Sequence, residues 1–82
     1  MFLQTGSFSL DEMPAGEQAV ILSFQAAHGI AGRLTSLGFT PGAEVQMTQN
    51  FGRGPLIVTV RGARVALGRS EAAKIYVQRS EA

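Results

Sequence analysis

With 82 residues, the chain has room for one domain and a thin core. A chain this short buries little more than ~60% of the surface it exposes when unfolded, which leaves little space for a deep catalytic cleft. It has no cysteine, which excludes disulfides, thiolate metal sites and thiol nucleophiles and favours a reducing cytoplasm. The formal charge of +1 conceals an asymmetry. Residues 1–32 carry three acids and no Lys or Arg, while residues 33–82 carry all seven basic residues against three acids, a net of +4.

Met1 to Leu10 holds no basic residue and no apolar run of signal-peptide length, and no stretch approaches the ~20 apolar residues of a membrane-spanning helix. Residues 1–8 read as an irregular arm. Ser9 precedes Leu10-Asp11-Glu12-Met13, with Glu12 at the capping-box spacing of a short helical turn that Pro14-Ala15-Gly16 ends. Gln18 to Phe24 is a strand with apolar residues on both faces, Val20, Leu22 and Phe24 on one and Ala19 and Ile21 on the other, which suits a central position. Ile30, Leu34 and Leu37 form one stripe of a short helix, and Gly38 stands where a left-handed residue closes it. Pro41-Gly42 suits the centre of a type II turn.

Ala43 to Thr48 alternates cleanly, Val45 and Met47 inward, as a half-exposed strand does. A loop from Gln49 to Pro55 follows, containing Phe51, Gly52, Arg53 and Gly54. Leu56 to Arg61 and Arg64 to Gly68 form a hairpin about Gly62-Ala63, a glycine-first pair that suits a type II′ turn. Ser70 is the expected cap of one helical turn, and Ile75 to Gln78 is the last strand. Five short strands, one short helix and two helical turns imply a mainly β fold. At this length the expected form is a small five-stranded barrel that closes most of its sheet edges.

Four segments in this order also carry a resemblance: Leu10 to Gly16, Arg33-Leu34-Thr35-Ser36-Leu37-Gly38-Phe39-Thr40-Pro41-Gly42, Gly54 to Gly62, and Val65 to Val77. Together they resemble the FeoA family of small cytoplasmic accessory proteins of bacterial ferrous-iron uptake. The likeness spans about Leu10 to Gln78, and the Arg-Leu-x-x-Leu-Gly-Phe-x-Pro-Gly stretch is its most specific part. It implies an SH3-like barrel and a partner, the cytoplasmic, GTP-binding part of the FeoB transporter. Family members often have Gly-Asp-Pro before the third main strand, where this chain has Arg53-Gly54-Pro55. Gly68 replaces the first of two basic residues common after the next strand.

The candidate sites follow from these segments. His28 is the sole histidine. It would need Asp11, Glu12 and Glu17 to converge on it before a metal site existed, so an exposed loop histidine is the simpler expectation and no metal site is assigned. No nucleophile has a base and a third group at a suggestive position, and Gly52-x-Gly54 precedes a strand rather than opening a helix, so neither an enzyme nor a cofactor is expected. Aromatic and arginine side chains dominate interface energies, so Arg33, Phe39, Phe51 and Arg53 are the expected partner-binding residues. The expectation is thus an interaction module acting on the transporter, with self-association open. The rivals are an Fe(II)-binding regulatory module, disfavoured by the scarcity of ligands, and a nucleic-acid-binding barrel, disfavoured by the modest charge.

Overall fold

The computed structural model describes residues 6–25 and 28–80, without the side chain of His28. Six strands and two helices run in chain order. Strand β1 is Ser7–Ser9, followed by a 3-10 turn, Leu10–Glu12. Strand β2 is Gln18–Phe24, helix α1 His28–Leu37 and strand β3 Glu44–Gln49. Strands β4, Leu56–Val60, and β5, Ala63–Leu67, form the hairpin. Helix α2, Arg69–Ala72, leads into strand β6, Ile75–Arg79.

The strands form one antiparallel sheet in the order β1-β6-β2-β3-β4-β5. This corrects the expected five-stranded barrel twice. Ser7 to Ser9 is not irregular: it pairs with β6, Ser7 opposite Gln78 and Ser9 opposite Tyr76. A three-residue strand with one apolar side chain has too short an alternation to be recognised. The sheet is also open, because no ladder joins β1 to β5. β1 ends after three residues, where the chain coils into the 3-10 turn, so it offers little backbone to pair across the seam.

The seam is bridged at one end by side chains. Asn50 Nδ2 donates to the carbonyls of Asp11 (3.2 Å) and Met13 (2.9 Å). Arg69, one residue beyond Gly68, donates through Nη2 to Asn50 Oδ1 and lies 3.5 Å from the Asp11 carbonyl through Nη1. Residues within a few positions of the ends of β1, β3 and β5 are thus tied together.

The period-two pattern places the core. Ala19 and Ile21 of β2, Val45 and Met47 of β3, Leu56, Val58 and Val60 of β4, Leu67 of β5 and Ile75 and Val77 of β6 are all buried. From the flanking turns come Leu10, Met13 and Phe39, and from α1 comes Leu34; Ile30 and Leu37 are half-buried against the cluster. A fully buried side chain of this kind contributes roughly 1.5–3 kcal/mol. Leu22 sits in a β-bulge where the β2–β6 register shifts between Ile21 and Ser23. It is 39% exposed, next to the buried Ile21.

Helix α1 ends as its sequence suggests. Gly38 takes φ +104°, its N–H donates to the Thr35 carbonyl (3.0 Å), and the Phe39 N–H donates to the Leu34 carbonyl (3.0 Å). These two bonds, with Phe39 and Leu34 both buried, make a Schellman ending with its hydrophobic contact. Gly42 has φ +90°, and the Ala43 N–H donates to the Thr40 carbonyl, as a type II turn centred on Pro41-Gly42 requires.

Two turn assignments differ from expectation. The hairpin loop is Arg61-Gly62, with φ +50° and +81°, and Val60 faces Ala63. Two left-handed residues make it type I′ rather than II′, whose twist matches that of the flanking strands. The shift leaves the inward faces unchanged, since moving the loop one residue displaces the pairing by two. Helix α2 begins after Gly68, not Ser70; the Gly68 N–H donates to Glu71 Oε1 (3.2 Å), so the side chain at the third helical position closes the start. Ser9 does precede the 3-10 turn, but its hydroxyl donates to Asp11 Oδ1 (2.5 Å) rather than accepting from a backbone N–H.

Candidate docking surface

The loop between β3 and β4 carries the most exposed large apolar side chain among the described residues, Phe51, at 76%. Its local geometry follows from its composition. Asn50 Oδ1 accepts from the Gly52 N–H (2.9 Å), a turn that asparagine makes with the backbone two residues on. Gly52 and Gly54 take φ +85° and +74°, which a side chain would strain. The loop therefore leaves β3 sharply and presents Phe51, Gly52 and Arg53 to solvent.

Its base is fastened by the same Asn50. All of that residue's amide capacity is engaged: two donors on the carbonyls of Asp11 and Met13, and an acceptor shared by Gly52 and Arg69. Phe51 is an exposed aromatic on a fastened stalk. Holding an anchor in place before contact lowers the ordering cost of binding. Asn50 and Arg69 were not among the expected site residues. The available signal was an asparagine two residues before the first loop glycine.

The four expected partner-binding residues separate. Phe51 and Arg53 lie together on the loop, and Arg53 has no ion-pair partner among the described residues. Arg33, on the exposed face of α1, is tied to Glu71 of α2. With that side chain half exposed, such a pair contributes at most about 1 kcal/mol. Phe39 is fully buried, because the Schellman ending turns it under the helix onto the core. It holds the fold and offers no surface to a partner.

His28 opens helix α1 instead of lying in a loop, and its side chain lies outside the described residues. Among the described residues no three His, Cys, Asp or Glu side chains are grouped to hold a metal ion, and no helix is long and apolar enough to cross a membrane. An open cleft of about 510 Å³ on the outer sheet face is lined among others by Gln18, Glu44, Gln46, Thr59 and Arg61. Its guanidinium is engaged, since Arg61 Nη2 donates to Thr40 Oγ1 (2.9 Å), and no nucleophile–base pair lines it.

Three relatives set this architecture in context. A FeoA domain model matches residues 8–79. The "Putative Fe(2+) transport protein A" of Methanocaldococcus jannaschii is 33% identical over 66 residues, covering 80% of this chain and 79% of its own length. Among solved structures, an iron uptake regulatory protein, FeoA, superposes with a TM-score of 0.86 at 31% identity, over 92% of this chain and 100% of that one. The zinc complex of Stenotrophomonas maltophilia FeoA, described as a prokaryotic SH3 domain protein, superposes with a TM-score of 0.79 at 41% identity, over 87% of this chain and 89% of that one. With a family model covering nearly every described residue and relatives above 30% identity along most of the chain, this protein belongs to the FeoA family.

Proposed function

We propose that this protein is an accessory of ferrous-iron uptake that docks on the cytoplasmic, GTP-binding portion of a FeoB-like transporter through the Phe51–Arg53 loop. Family membership supports the iron-transport role, as do the names of its relatives, an Fe(2+) transport protein and an iron uptake regulator. The observation that carries the docking site is Phe51, exposed at 76% on a loop whose base Asn50 fastens to the 3-10 turn. An aromatic anchor beside an arginine without an ion-pair partner is the composition that dominates interface energies. Nothing in the fold requires Phe51 to be apolar, since it makes no part of the core cluster.

The test is a calorimetric titration of the domain into the transporter's cytoplasmic portion. Wild type binds saturably. A Phe51→Ala/Arg53→Ala variant, with its thermal midpoint unchanged, binds at least tenfold more weakly. Equal affinity for the two proteins removes the loop from the interface.

A further inference from the structure

One edge of the sheet is left in a state to receive another chain. Strand β5 pairs on one side with β4 and, among the described residues, has no ladder on the other. Its orientation follows from the hairpin. In a two-residue type I′ loop the residues flanking the turn, Val60 and Ala63, exchange both backbone bonds. Alternation makes Val58–Val65 and Leu56–Leu67 bonded pairs as well, and turns the N–H and C=O of Arg64 and Ala66 away from β4. Among the described residues, no backbone or side-chain group bonds these outward donors and acceptors. Arg64 and Ala66 are exposed, while Val65 and Leu67 point inward.

We propose that this free edge of β5 takes an extended, acidic segment of the docking partner as a seventh strand. The proposal rests on the docking reading above and supplies its mode of contact. Two outward-facing residues provide up to four main-chain hydrogen bonds, the source of affinity in strand addition. Charge selects the occupant. Arg64 projects from the outer face of β5, and Arg53 stands on the loop at the other end, where Leu67 pairs with Leu56. Neither has an ion-pair partner among the described residues; Glu71, the acid of the adjoining α2, is taken by Arg33. An acidic strand would meet Arg64 along its length and reach the Phe51–Arg53 loop at its end. A second copy of this chain is disfavoured, because pairing β5 with β5 brings two Arg64 side chains together with no acid to separate them.

The test uses the whole protein and the transporter's cytoplasmic portion. Ala66→Pro removes an outward N–H and leaves the β4–β5 ladder intact, as proline on an edge strand can. Arg64→Glu keeps the backbone and reverses the charge. The two variants are expected to bind at least tenfold more weakly, and the Arg64 and Ala66 amides of the wild type to become protected from hydrogen exchange in the complex. If Ala66→Pro lowers the thermal midpoint, the exchange result decides by itself. Strand addition is overturned, with docking intact, if Phe51→Ala/Arg53→Ala weakens binding while Ala66→Pro does not and the two amides exchange as in the free protein. Absence of any wild-type binding overturns docking and strand addition together.

Discussion

Replacing Asn50 with alanine tests the view that side chains, rather than a ladder, hold the seam of this sheet. The substitution deletes the donors to the Asp11 and Met13 carbonyls and the acceptor serving Gly52 and Arg69. A neutral hydrogen bond contributes about 0.5–1.5 kcal/mol net, and one to a charged group about 1.5–3 kcal/mol. Simple addition would give roughly 3–7 kcal/mol, but the junction is only part-buried, so water replaces some of what is lost. An expected cost of about 3 kcal/mol remains, at the low end of that span. For a domain of this size it corresponds to a fall in thermal midpoint of roughly 12–24 °C. Urea unfolding followed by circular dichroism measures it directly. Asn50→Asp separates the two halves of the junction. It keeps the acceptor for Arg69 and Gly52 but sets a carboxylate oxygen against two carbonyls, so it too should destabilise, despite the added attraction to Arg69. A loss below about 0.5 kcal/mol for Asn50→Ala, the range of an ordinary surface substitution, would refute the claim that this junction holds the seam.

Two further predictions concern helix α1. Leu34→Ala removes a fully buried side chain of the helix and should cost about 2–5 kcal/mol, read as a lower urea midpoint with an unchanged slope; a loss under 1 kcal/mol would mean the site collapses around the cavity. Gly38→Ala forces a side chain to φ +104° and places its Cβ 2.9 Å from Arg61 Cδ, so it should cost about 1–3 kcal/mol. In an Arg61→Ala background the contact disappears and the strained φ remains, so a smaller residual cost, measured as a double-mutant cycle, identifies the steric share.

Much of this protein was legible in its sequence because the signals are local. Alternation of apolar residues located β2 to β6, since side chains on a strand take opposite faces whatever lies around them. Gly38 and Gly42 marked their turns because only glycine takes a positive φ without strain. The four ordered segments pointed to the FeoA family, which the wider comparisons bear out.

What the sequence by itself could not decide depended on distance. Whether Ser7–Ser9 is a strand is settled by β6, nearly seventy residues away, which supplies its hydrogen-bond partners. Whether the sheet closes is settled by the meeting of its edges, and β1 ends before a ladder can form. Phe39 and Phe51 are alike as residues next to glycine-bearing turns. Their fates are opposite because the Schellman ending folds Phe39 onto the core, while the Asn50 junction aims Phe51 at solvent. Periodicity reports which face of an element is apolar; only tertiary packing determines which of those faces is covered.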